Sequence, residues 1–144
     1  MKSLTHRVAS LGVVALLLGA PAQAVDRSPA PEGAGVYIIS PADGEIVGTT
    51  VTIKFGLSGM GVAPAGVDKN HTGHHHLLID LEELPSLDRP LPATDQVRHF
   101  GGGQTEVTVT LEPGEHRLQL LLGDYRHIPH EPPVLSAPIT VTVE

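Results

Sequence analysis

Two runs of alternating side chains joined by a tight turn constrain the fold of this chain more than any other stretch. They are TEVTVTL (105–111), EPGE (112–115) and HRLQLLLG (116–123). Val107, Val109 and Leu111 oppose Glu106, Thr108 and Thr110, and after the turn Leu118, Leu120 and Leu122 share one face. A period of two is the signature of a strand with one face on a core. VTIKFGL (51–57) repeats the pattern with Val51, Ile53, Phe55 and Leu57. Shorter strands are predicted over 36–39, which the turn cluster SPADG (40–44) ends, over 75–81, near 96–98 and over 139–143. Pro138 lacks an N–H and argues for an edge or a bulge there. The best helical candidate, around Leu81 to Leu84, is cut at Pro85. About seven short strands between turn signals predict an all-β, immunoglobulin/fibronectin-III-like sandwich. A jelly roll is the alternative. The sequence has no Cys and no Trp, which excludes a true antibody-type domain.

The first 24 residues read as a cleaved secretory signal. Lys2 and Arg7 are basic, Val8 to Ala20 is apolar, and Ala22-Gln23-Ala24 fits a small-x-small cleavage site. The apolar run is too short for a comfortable membrane span, so none is expected after cleavage. The expected location is the periplasm or the exterior. Residues 25–35 (VDRSPAPEGAG) read as a flexible linker and 36–144 as one domain. Without cysteine there is no disulfide, so the core alone must hold the domain. Removing the leader, with two basic residues and no acid, takes the formal charge from −7 to −9 (−7 − 2). An acidic chain with two Phe and two Tyr is a poor nucleic-acid binder. No basic amphipathic stretch suggests membrane-surface binding. A monomer is expected.

Histidine is where the chemistry concentrates: nine in all, four of them in HTGHHHLLID (71–80). In a sandwich of this kind the loops after the second, fourth and sixth strands meet at one end. Those loops carry Met60, Asp68, His71 and His74; His99 and Gln104; and Asp124, Tyr125, His127 and His130. Within the strand at 75–81, alternation puts His75 with Leu77 and Ile79, and turns His74 and His76 the other way. Imidazoles at i and i+2 on one face can share a metal ion, and another loop can complete the site. The candidate ligands are His74, His76, His99, His127, His130 and Met60. Imidazole suits copper, zinc, nickel and iron, and a thioether such as Met60 shifts the preference toward Cu(I). A closed structural zinc site of the cysteine type is excluded. Ligating imidazoles must be neutral, so binding should weaken below about pH 6. One ion spanning the loops requires His74 or His76 within about 10 Å of His99 or of the His127/His130 pair, because metal–nitrogen bonds are near 2 Å. His71 is expected to be solvated, His75 to be a core-edge or ligand-orienting residue, and His116 to be structural. Gly101 to Gly103 allow positive φ or close backbone approach, with no helix after them to form a phosphate site.

Several blocks together, SPADGEIV, FGLSGMGVAPAG, GHHHLLID, HFGGGQTEVTVTL, PGEHRLQLLLGD and HIPHEPPV, resemble a family of small secreted bacterial domains labelled only as a domain of unknown function. The resemblance implies a secreted or periplasmic all-β domain and supplies no activity. A weaker similarity in architecture and in His/Met content is to periplasmic copper-resistance chaperones. Those often place a ligating His at the mature N-terminus, where this chain has Val25-Asp26. The leading functional expectation is a metal-binding domain, with copper favoured and zinc the alternative, for handling or sensing, with a metal ion and another periplasmic protein as partners. The alternative is a protein- or glycan-recognition module without metal. No nucleophile elbow or acid/base pair stands out, so a non-catalytic domain is expected.

Overall fold

A computed structural model describes residues 25–144; the leader expected over 1–24 lies outside the described residues. The described chain contains nine strands and no helix: β1 (Gly35–Ser40), β2 (Ile46–Val47), β3 (Thr50–Ser58), β4 (Gly61–Val62), β5 (Thr72–Ile79), β6 (Val97–His99), β7 (Glu106–Thr110), β8 (Gly114–Gly123) and β9 (Ile139–Val143). They form an all-β sandwich. One sheet has the order β1-β3-β7. The other runs β2-β9-β8-β5-β4, with β6 also paired to β5. The turn at 111–113 therefore carries the chain from one sheet to the other.

Alternation explains the core between the sheets. Val51, Ile53 and Phe55 of β3, Val109 of β7, Leu77 and Ile79 of β5, Leu118, Leu120 and Leu122 of β8, and Val141 and Val143 of β9 form one buried cluster. Each fully buried Leu contributes about 1.5–3 kcal/mol relative to its exposed state. The outward residues of β3 and β7 are exposed, as expected of a half-wet sheet, except Gly56, which lies beneath the Tyr37 ring.

The second sheet departs from that pattern. Every residue of β5 from Gly73 to Ile79 is buried, and so is β8 from Leu118 to Gly123. Its outer face is roofed by the long segments 80–96 and 124–138. Leu78, Leu91, Val97 and Leu121 form a second apolar cluster there. The two roof segments are tied together by a hydrogen bond from the Leu91 amide to the His127 carbonyl, 2.9 Å. Outward-facing residues at the centre of this sheet are therefore dry, including the histidine pair at 74 and 76. Two further details refine the sequence reading. The strand around the histidines begins at Thr72 and ends at Ile79, before Asp80, a non-glycine residue at φ 54. Pro138 precedes β9, which is paired on both sides, by β2 and β8, so its missing N–H needs no bulge or bare edge.

The segment expected as a linker lies against the β8–β9 loop. Arg27 donates to the Pro129 carbonyl (3.0 Å) and contacts the Glu131 carboxylate, and Ser28 donates to Asp124 (2.7 Å).

Candidate metal centre

The site grows out of β5. His74 and His76 sit two apart on the face away from the inter-sheet core, with 0% and 1% exposure. β6 pairs with β5 so that His99 lies directly across from His76. Gly123, the last residue of β8, lies opposite His74, and just beyond it the β8–β9 loop turns back over the sheet and delivers His127. One ligand-type atom from each of His74, His76, His99 and His127 lies within 4.8 Å of all the others. His74 Nε2 is 3.1 Å from both His99 Nε2 and His127 Nδ1. All six ring pairs have centroids 4.5–6.2 Å apart.

Three local devices make the convergence sterically possible. A β-carbon on Gly123 would stand 2.7 Å from Cε1 of His76, and one on Gly101 would stand 2.3 Å from Cε1 of His99. Both glycines clear space for an imidazole ring by close approach. The third device is the turn at His127, which adopts φ 66, unusual for a residue with a side chain. Asp124 holds that turn. Its buried carboxylate accepts from the amides of Arg126 (2.8 Å) and Ile128 (3.0 Å), on either side of His127. The His127 amide in turn donates to the Asp124 carbonyl, 2.8 Å.

The electrostatics are those of neutral rings. Burial, helped by His99 and His127, lowers the His74 pKa to about 4. Burial, with His74, His99 and His127 alongside, lowers that of His76 to about 3. Burial and then His127 also hold His99 below the ordinary histidine value. Both ring nitrogens of His76 and Nδ1 of His74 are buried with no hydrogen-bond partner. Orphaned buried polar atoms are rare and costly, about 1–3 kcal/mol each. Four imidazoles, three of them held below the ordinary histidine value, aim ring nitrogens at a shared centre. Nitrogens around one ion at 2.0–2.1 Å lie about 3.4 Å apart in a tetrahedron. The two 3.1 Å pairs already approach that spacing, and the widest pair, at up to 4.8 Å, must close by about 1.4 Å.

The other candidates are placed differently. His130 is buried, but its Nε2 hydrogen-bonds the Thr72 carbonyl (3.1 Å) and its ring packs against Gly73. Met60 packs against the inter-sheet core. His130 does not belong to the four-histidine group. His75 turns into the core as its parity requires, against Phe55 with ring centroids 5.1 Å apart, and burial lowers its pKa to about 4. Its two nitrogens are unpartnered, so the expected satisfied core-edge histidine is instead a dry one. His71 is exposed. His116 pairs with Asp80 at the far end of β8. The close approach expected of the triple glycine is found at Gly101, whereas Gly123 was not singled out in the sequence; its usable signal is a glycine ending a strand that pairs with the histidine run.

With this geometry in place, the comparisons with known proteins add one finding. Residues 53–144 match the family described as Domain of unknown function (DUF4399), and the chain belongs to that family. No curated protein and no solved structure matches it. All four histidines lie within the matched region. Among the described residues, no helix is long and apolar enough to cross a membrane.

Proposed function

We propose that this is a metal-binding domain that holds one divalent transition-metal ion through His74, His76, His99 and His127, acting in metal handling or sensing in the periplasm or outside the cell. The observation that carries the reading is the convergence of four imidazoles within 4.8 Å. An all-imidazole set of borderline donors suits Cu(II) and Zn(II), and the Irving–Williams order puts copper first. Met60 packs in the core, so the preference for Cu(I) that a thioether would bring is dropped. For Zn(II), four protein ligands fill a tetrahedral shell and leave no position for a reacting water, which favours holding the ion over hydrolysis. The formal charge of −7 favours the approach of cations.

Calorimetric titration with Cu(II) and Zn(II) tests the proposal. One ion per chain is expected, with binding lost in a His74→Ala/His76→Ala variant and copper displacing zinc. Absence of binding, or binding that survives the double substitution, would contradict it.

A further inference from the structure

His127 is the only one of the four ligand candidates that comes from a loop, and its position depends on contacts beyond the sheet. The β8–β9 loop is clamped from outside by the segment N-terminal to β1. Ala30 donates to the Glu131 carbonyl and Glu131 to the Ser28 carbonyl, both at 2.9 Å, as in a short piece of sheet. Arg27 adds contacts to the His130 carbonyl and the Glu131 carboxylate. The mechanical link to the site is Asp124. One of its carboxylate oxygens holds the backbone on both sides of His127, and the other accepts the Ser28 hydroxyl at 2.7 Å. A residue held at φ 66 keeps that conformation only where its surroundings over-determine it.

We propose that residues 26–31 form a strap that positions the metal site: its docking, through Ser28 and Asp124, keeps His127 in place as a ligand, so strap docking and metal binding reinforce each other. The inference rests on the metal reading above. Linkage makes the effect reciprocal: whatever factor the docked strap adds to metal affinity, bound metal adds to strap docking. Ser28, Arg27 and Asp124 are then positioning residues that touch no ion themselves.

The test uses the protein as purified, with Cu(II) as the probe. Substituting Arg27→Gln together with Ser28→Ala should lower Cu(II) affinity about tenfold, the scale of losing an outer-shell support. The nitrogen hyperfine pattern in the electron paramagnetic resonance spectrum should change from four to three imidazoles. Ser28→Thr, which keeps the hydroxyl, should retain wild-type affinity and spectrum. In the wild type, saturating Cu(II) should slow hydrogen exchange at the amides of Ala30 and Glu131, and in His127→Gly it should not. If the wild type binds Cu(II) while the strap variant matches it in affinity and spectrum, or while exchange at those amides ignores the metal, the coupling is wrong and the site stands. If the wild type binds no Cu(II), both fall.

Discussion

The two ends of β8 hold histidine in opposite ways. At its start, His116 has an acceptor on each nitrogen: Nδ1 faces the Asp80 carboxylate and Nε2 the Glu112 carbonyl, both at 2.7 Å. Only an imidazolium can donate to both. Burial opposes that charge, yet the hydrogen bonds to Asp80 and Glu112 outweigh it and raise the His116 pKa. At the other end, beside Gly123, four imidazoles face one another, and the nitrogens of His76 have no acceptor at all. His116 sits in a place built to hold a proton. His74, His76 and His99 sit where a proton is disfavoured, and the four rings together could hold a metal ion.

Acid should separate the two ends most strongly. The folded-state pKa values of His74, His75 and His76, at about 4, 4 and 3, lie below the unfolded value of 6.5. Below pH 6.5 the unfolded chain takes up protons that the folded chain refuses, so stability falls as pH drops through that window. Each imidazole accounts for about 2 kcal/mol between pH 7 and pH 5. Three together approach the stability of a whole domain. Urea denaturation of the metal-free protein at the two pH values should show this loss, and a flat profile would break the comparison. His116 works with the other sign. Its contribution is full below pH 6.5 and fades as pH rises through its raised value.

A smaller effect separates the ends by substitution. His127→Gly removes a ligand but suits a backbone at φ 66. Metal affinity should fall by at least about 100-fold, beyond the loss of an outer-shell group. The metal-free melting temperature should hold or rise, because a left-handed side-chain residue costs about 1–2 kcal/mol that glycine avoids. A clear fall in metal-free stability would mean that the ring, not the turn, holds the loop. The smallest effect belongs to His116→Gln. The Asp80 side chain is 41% exposed, so the pair is worth about 0–1 kcal/mol at pH 5.5, and metal affinity should not change. A change in affinity would show that the two ends communicate along β8.

Much of this molecule was legible in its alternation. The runs at 51–57, 105–111 and 116–123 marked β3, β7 and β8, and parity divided His75 from His74 and His76. The expectation that three loops meet at one end was not met as such: His74, His76 and His99 come together as paired strands on the outer face of a sheet, and His127 alone comes from a loop. The dryness of the pair was not legible, because the roof segments 80–96 and 124–138 have no periodicity to betray what they cover. The choice of His127 over His130 was hidden for a related reason. It depends on a left-handed turn organised by Asp124, and spacing within a Pro-containing loop does not report backbone conformation. Two-residue strands such as β2 and β4 are too short to show a period. The strap reads as a linker by composition, since its order comes from partners about a hundred residues away.

X-ray absorption on the metal-loaded protein tests the central claim most directly. The account predicts four nitrogen scatterers near 2.0 Å, each with the outer-shell pattern of imidazole, and no sulfur. A sulfur scatterer, two or fewer imidazoles, or no retained metal would contradict it.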